Sequence, residues 1–211
     1  EIAHRKTCIK GGVLFRLSIQ SIAGSSSSFL ARMMWCVVAL IMAFGTTASV
    51  GKPSVQDLEA ALHTYHLLWT VFRNFERDTV YGKRSCVYAL PISLAKDDYR
   101  FYYGFNDGDW WRHNILYAKL QQEGDNAVFV VSETKDGEGH PHTLEYWNPK
   151  DHCLIFTVMN RTTSQKECQL LVWEASLKAR SPSAAFPCEG DYDRICGATP
   201  KYKPYSDTCK K

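Results

Sequence analysis

Apolar residues follow two different periods along the chain, and the first of them predicts a helix that begins near residue 55. Ser54, followed by Asp57 three positions later, has the pattern of a helix N-cap. From there the apolar positions recur every three or four residues, as they do on one face of a helix. These positions are Leu58, Leu62, Tyr65, Trp69 and Phe72. We therefore predict an amphipathic N-terminal helix of about five turns.

Beyond Gly82 the period changes to two, which is the spacing of strands that bury one face. Asn106, Asp107 and Gly108 form a hairpin signal, and residues 135–139 and 148–151 form two further turn signals. The predicted strands lie at residues 86–92, 99–105, 111–120, 127–132, 143–147, 153–159 and 168–175. Closely spaced antiparallel strands in this number favour an up-and-down barrel that can hold one small ligand. A short helix at residues 189–195 and an irregular tail follow.

The segment before this region has the pattern of a secretory leader. Residues 35–44 are almost all apolar, Arg32 precedes them, and small residues follow at 45–49. The run is about half as long as a membrane span requires, and no later stretch comes closer to one. We predict a signal peptide at about residues 33–50, cleaved between Ala48 and Lys52. Residues 1–32 are then an upstream extension, and residues 51–211 form a single domain.

Cysteine placement agrees with a secreted, extracellular protein. Two of the eight cysteines, Cys8 and Cys36, fall in the leader and its extension. The six that remain are Cys86, Cys153, Cys168, Cys188, Cys196 and Cys209. An even set behind a secretory signal indicates a disulfide framework, although spacing alone leaves the pairing open.

Charge argues against nucleic acid as a partner. The whole chain carries a formal charge of +3, but residues 1–50 hold five of the 25 basic residues and one of the 22 acidic residues. Residues 51–211 therefore carry −1, with no basic stripe along them. We expect no nucleic-acid partner and no membrane partner.

Motifs for catalysis or metal binding are missing from the sequence. There is no HExxH, GxSxG or glycine-rich phosphate loop, so we expect neither an enzyme nor a cofactor. His140 and His142 are separated by a proline and lack further ligands at metal-site spacing, so no metal site is expected. Asn160-Arg161-Thr162 is a sequon, which makes Asn160 a candidate glycosylation site.

Several segments, taken in order, resemble one known family. They are the run from Asn74 to Val87 with its Asp78, Tyr81-Gly82 and Cys86-Val87 elements, the run from Asp151 to Ile155, the strand around Cys168, Pro187-Cys188, and Tyr192 to Cys196. Residues 51–211 resemble the tick salivary lipocalins, which include the histamine-binding proteins. The resemblance implies a mainly β fold: an eight-stranded antiparallel up-and-down lipocalin barrel with an N-terminal helix and a short C-terminal helix. It also implies the disulfide pairs Cys86–Cys209, Cys153–Cys188 and Cys168–Cys196.

Such lipocalins sequester host mediators, and the resemblance implies a monomer that captures a biogenic amine, histamine or serotonin, in tick saliva to evade host inflammatory defence. A buried ammonium requires a carboxylate partner and gains from aromatic faces. Asp78 falls on the family's amine-binding aspartate, and Tyr81 and Phe75 fall on family aromatic positions. Glu145 lies near an acidic position of a later strand. The remaining ligand-binding candidates are the wall residues Trp111 and Phe129, with Tyr103 and Trp147 beside them.

The chain departs from this pattern at two places, which keeps other functions open. Where the family carries a glutamate on the third strand, this chain has Arg112, His113 and Asn114, and Gln169 stands where a glutamate is common. A basic side chain inside the barrel would favour an apolar or anionic mediator, such as a leukotriene or fatty acid. An interior filled by side chains would instead favour a protein–protein antagonist, for instance of complement.

Overall fold

A computed structural model describes residues 51–209 of the chain. The predicted signal peptide and the upstream extension lie outside these residues, and they remain predictions. Within the described residues, no helix has both the length and the apolar character needed to cross a membrane.

The described region is mainly β-structure. Its helices are α1 (Val55–Leu62), α2 (Glu174–Ala179) and α3 (Glu189–Cys196), and a 3-10 turn covers Asp207–Cys209. Its strands are β1 (Leu68–Arg73), β2 (Asp78–Thr79), β3 (Gly82–Lys83), β4 (Ser85–Ala95), β5 (Asp98–Asp107), β6 (Trp110–Glu123), β7 (Asn126–Ser132), β8 (His140–Asn148), β9 (Cys153–Met159) and β10 (Lys166–Trp173).

Eight of these strands close into one antiparallel barrel, in the order β1-β10-β9-β8-β7-β6-β5-β4. Strands β4 to β10 pair with their neighbours in sequence, and β1 completes the circle by pairing with both β4 and β10. The short strands β2 and β3 form a separate hairpin, the 78–83 hairpin. The predicted eight-stranded up-and-down barrel is thus confirmed, as is the short helix before the C-terminal tail.

The predicted N-terminal helix is right at its start and wrong at its end. Ser54 caps the helix: its hydroxyl accepts from the Asp57 N–H at 3.2 Å, while the Asp57 carboxylate accepts from the Ser54 N–H at 2.8 Å. The helix ends at Leu62. Residues predicted for its last two turns form strand β1 instead, and all six residues of that strand are buried. A strand buried on both faces has no alternation, so its apolar run can be mistaken for a helix face.

Two apolar clusters lie on opposite sides of the barrel wall. The inner cluster fills the barrel end nearest α1, and Leu58 and Leu62 of that helix are part of it. There the Trp173 indole N–H donates to the Ala61 carbonyl at 3.0 Å, which fixes the helix across this end. The outer cluster joins β1, β9 and β10 to α2, α3 and the tail. One end of the barrel is therefore closed by a helix, and the other end is left as the mouth.

Three disulfides fasten the tail to the barrel. The pairs are Cys86–Cys209, Cys153–Cys188 and Cys168–Cys196, the same pairs that the family resemblance implies. The backbone supports the same attachment, because Arg73 and Tyr202 exchange two backbone hydrogen bonds of 3.0 and 2.8 Å. The outer faces of β1, β9 and β10 are covered in this way, while the interior remains free for a site.

Candidate functional site

The barrel encloses a cavity of about 730 Å³, which we call the main cavity. This volume lies within the range of roughly 300–1,000 Å³ that is usual for small-molecule sites. An aromatic cluster forms its floor, where the rings of Tyr99, Phe101, Phe129 and Phe156 lie at centroid distances between 5.2 and 5.8 Å. Tyr103, Leu116, Val131, His142, Val158 and Gln169 line the walls.

A buried arginine lies where the wall meets the mouth. Arg73 is the last residue of β1, and its side chain is 3% exposed. One terminal nitrogen donates to the Arg84 carbonyl at 3.1 Å, whereas Nε has no hydrogen-bond partner. Burial lowers the pKa of the guanidinium below its ordinary value, but an arginine stays charged in proteins. No carboxylate among residues 51–209 forms an ion pair with it. The charge of Glu76 favours the cation only from beyond ion-pair distance, and the charges of Arg77 and Arg84 oppose it, so the cavity carries a cation without a paired carboxylate.

The buried acid of the same cavity is already occupied. Glu167 is 6% exposed, and its carboxylate pairs with Arg77 through one oxygen and accepts from the Asn160 amide at 2.6 Å through the other. Farther out at the rim, Glu138 pairs with Arg161 at 3.0 Å. A ligand cation would therefore compete with bound arginines for these two carboxylates, and among the described lining residues it would find an acid without an ion pair only at the exposed Glu133 of the rim. A ligand anion would find the buried Arg73 without an ion-pair partner.

Aromatic rings support the arginines of the mouth. The Phe75 ring lies between two guanidiniums, 4.4 Å from that of Arg77 and 5.5 Å from that of Arg73. The Arg84 guanidinium lies 4.4 Å from the Phe105 ring, and its Nε is buried without a hydrogen-bond partner. These contacts hold the charged groups in place and leave their remaining N–H donors for a ligand.

A second, more open cavity lies beside the mouth and is partly covered by the 78–83 hairpin. It is lined by Thr79, Val80, Tyr81, Arg84, Phe105, Asp107, Arg112 and Asn114. The β5–β6 register pairs Phe105 with Arg112 and Tyr103 with Asn114, so these side chains share the inward face of the barrel. Arg84 lines both cavities and forms the wall between them.

Asp107 is the buried acid of the second cavity, at 7% exposure. Its carboxylate accepts a short hydrogen bond from the Thr79 hydroxyl. The Arg112 Nε lies 3.8 Å from it, which is an ion pair beyond hydrogen-bond distance. The exposed Tyr81 ring stands on the hairpin above, so this cavity combines a carboxylate, an aromatic face and two arginines.

The sequence-predicted ligand residues are distributed over three places. Phe75 and Phe129 line the main cavity, and Tyr81 lines the second one. Asp78, Glu145 and Trp111 line neither of them. Asp78 is an exposed residue of the 78–83 hairpin, and Trp111 packs its ring 6.0 Å from that of Tyr88 on the outside of the barrel.

Glu145 is held in a network away from both cavities. Its carboxylate accepts from the Thr157 hydroxyl at 2.7 Å and pairs with the Lys166 ammonium at 3.0 Å. Burial alone would raise the pKa of Glu145, but the hydrogen bonds and the lysine charge outweigh it and lower the pKa below the ordinary value. This carboxylate stabilises the contact between β8, β9 and β10.

Strand β6 carries the three residues that stand where the family has a glutamate. Arg112 and Asn114 face inward and line the second cavity, whereas the His113 ring meets the Tyr102 ring edge-on, at a centroid distance of 6.2 Å, on the outside. Sequence reasoning missed the charged residues that define the site, among them Arg73, Arg77, Arg84, Asp107 and Glu167. Arg73 directly follows an apolar run in the sequence, and this position could have indicated a buried arginine. Asp107 was read as a turn residue, and nothing local distinguishes Glu167 or Arg84.

Two other sequence predictions concern modification and metals. The Asn160 amide lies at the rim of the main cavity, where its nitrogen bonds Glu167 and its oxygen accepts from the Thr162 N–H at 2.9 Å. Glycosylation of Asn160 stays a prediction. Between residues 51 and 209, no group of three histidines, cysteines or acids has metal-site geometry.

A closed eight-stranded barrel with one helix across its end and a ligand-sized interior defines a lipocalin-type binding protein. The family model described as tick histamine binding protein matches residues 51–211. The chain belongs to this family.

The chain is similar to solved structures, one of which reaches the level of a shared fold. The crystal structure of AM182 in complex with serotonin is 14% identical, with a TM-score of 0.50, and the match covers 72% of this chain and 91% of that chain. Japanin from Rhipicephalus appendiculatus, bound to cholesterol, is 13% identical, with a TM-score of 0.45, covering 69% of this chain and 96% of that chain. No curated protein sequence matches the chain.

Proposed function

We propose that this protein is a secreted, monomeric lipocalin that captures an anionic, amphipathic host mediator, of the fatty-acid or leukotriene class, to blunt host defence. The family and its three disulfides support a role in ligand capture outside the cell, and a binding role rather than catalysis. The inward position of Arg112 supports an anionic ligand over the amine that the resemblance implied. The main cavity leaves room for a ligand, which argues against a purely protein-directed antagonist.

The buried Arg73 guanidinium, which has no ion-pair partner among the described residues, carries this proposal. Burying a charge without a partner is costly, so a site that keeps one is prepared for an opposite charge from a ligand. A carboxylate at the mouth would accept from Arg73, and the apolar part of the ligand would lie against the floor aromatics and Leu116. The charged hydrogen bonds would contribute about 1.5–3 kcal/mol.

An amine ligand is the second candidate, and Asp107 supports it. A histamine or serotonin ammonium in the second cavity would meet this carboxylate and the face of Tyr81. Asp78, which the resemblance assigned to the amine, is exposed beside the cavity on the same hairpin. The amine would have to displace Arg112 from its 3.8 Å contact with Asp107.

Competition binding tests the proposal. Purified protein is loaded with a fluorescent fatty acid, and arachidonate, leukotrienes, histamine and serotonin are titrated as competitors. We expect the carboxylate lipids to displace the probe, and Arg73→Gln to weaken them about 10- to 100-fold. Arg100→Gln is the matched control, because Arg100 is an exposed arginine outside both cavities.

The outcomes separate the two candidates. Displacement by amines alone, with unchanged affinity in Arg73→Gln, would show that the amine function is correct and the lipid function is not. Arg73→Lys distinguishes charge from folding, since it keeps the cation and should retain most of the affinity. If neither lipids nor amines bind the wild-type protein, both candidates are wrong.

A further inference from the structure

We propose that the two cavities together bind one ligand, a single-chain phospholipid with a zwitterionic head group. The chain and phosphate would lie in the main cavity and at its mouth, and the ammonium would lie in the second cavity against Asp107. This inference rests on the proposed function, because it needs an acyl chain in the main cavity. It adds a head-group site in which arginines bind the phosphate and Asp107 binds the ammonium. None of the sequence features predicts such a site.

The two cavities share one wall residue. Arg84 lines both cavities, and Arg73 lines the main cavity and donates to the Arg84 backbone carbonyl. The charges of the two arginines act on each other, so two cations lie near the boundary between the cavities. Both have an Nε that is buried without a hydrogen-bond partner. Guanidinium groups match the oxygens of a phosphate, and buried donors without partners favour an anion at this boundary.

A charge of the opposite sign lies on the far side of that boundary, in the second cavity. Asp107 is buried among aromatic and polar side chains on the inward face of the barrel. It lines the second cavity together with Arg84, which would contact the phosphate. Its Arg112 partner is half-exposed and 3.8 Å away, so a ligand ammonium can replace it at little cost. A carboxylate beside the Tyr81 face is a favourable environment for a primary or quaternary ammonium.

The volume of the main cavity favours a ligand with a single acyl chain. A volume of about 730 Å³ with an aromatic floor fits a single acyl chain, and the helix α1 closes the far end. A free fatty acid would fill this space and leave the second cavity unused. A phospholipid with one chain uses the apolar floor, the two arginines and Asp107 at once.

Matched lipids test the inference. Lysophosphatidylcholine, lysophosphatidic acid and the fatty acid of the same chain are titrated below their critical micelle concentrations, by competition with the fluorescent fatty acid. Lysophosphatidic acid has the chain and phosphate without the ammonium. Asp107→Asn removes the charge that faces the quaternary ammonium, so we expect it to shift the preference for the choline lipid over lysophosphatidic acid about tenfold toward the latter. Asp109→Asn removes the same charge from the same turn and should leave that preference unchanged.

Each outcome decides the inference independently of the proposed function. If the fatty acid binds and lysophosphatidylcholine does not, the head-group site is wrong while the proposed function stands. An unchanged lipid preference in Asp107→Asn would also overturn it. Should Asp107→Asn fail to fold, Arg112→Gln serves instead: freeing Asp107 of its competitor should tighten lysophosphatidylcholine about two- to fivefold, and no gain refutes the site.

Discussion

Replacing Arg77 by glutamine should turn the main cavity into an amine receptor. Arg77 and the Asn160 amide hold the carboxylate of Glu167, which is 6% exposed. Without the guanidinium, this carboxylate keeps one hydrogen bond and carries a charge that a ligand ammonium can pair. A hydrogen bond between charged groups contributes about 1.5–3 kcal/mol, so histamine or serotonin should bind about 10- to 100-fold more tightly to Arg77→Gln than to wild type.

The same substitution should cost little stability. Breaking a fully buried ion pair costs about 3–5 kcal/mol, but the Arg77 side chain is 40% exposed and water can reach the site, so we expect about 1–2 kcal/mol. Isothermal titration calorimetry with each amine measures the affinity, and urea unfolding measures the stability. Arg161→Gln is the matched control, because it removes the same charge from the rim while its partner Glu138 is exposed. If Arg77→Gln binds amines no better than this control, the pairing of Glu167 does not decide ligand charge.

Three further substitutions test the architecture. Gly104→Ala would place a methyl group inside the Tyr88 ring and should lower the unfolding free energy by about 1–3 kcal/mol in urea; an unchanged midpoint would contradict this packing. Replacing Cys86 and Cys209 together by alanine opens a loop of 123 residues and should cost about 5 kcal/mol by calorimetry, whereas a cost below 1 kcal/mol would refute the loop argument. Glu145→Gln should cost about 1 kcal/mol at neutral pH. Because the pKa of Glu145 in the folded protein is lowered, the difference in unfolding free energy between wild type and Glu145→Gln is fully present above the ordinary pKa of 4.5. It should vanish as the pH falls through the lowered pKa. A difference that stays constant with pH would exclude the ionised carboxylate as its source.

Local signals predicted the fold well, and the exception shows their limit. The helix start was predictable because the Ser54 cap depends on residues three positions apart. The helix end was not, since Trp69 and Phe72 continue the apolar spacing while lying in a strand with both faces buried. One side of that strand faces the barrel interior, and the other faces α3 and the tail. Nothing between residues 58 and 72 shows that distant segments will cover both sides.

The candidate site was less predictable than the fold, because pairing between distant charges decides what each charged residue can do. Asp78 resembles an amine-binding aspartate in sequence, yet it is exposed on a hairpin, whereas Asp107 in a turn signal becomes a buried acid of the second cavity. Glu167 is neutralised by an arginine 90 residues away. Among the described residues Arg73 has no carboxylate as an ion-pair partner, while the buried Glu167 of the same cavity is paired with Arg77. The proposed preference for an anionic ligand therefore rests on which charged pairs the barrel forms, and a list of acidic positions along the chain does not contain that information.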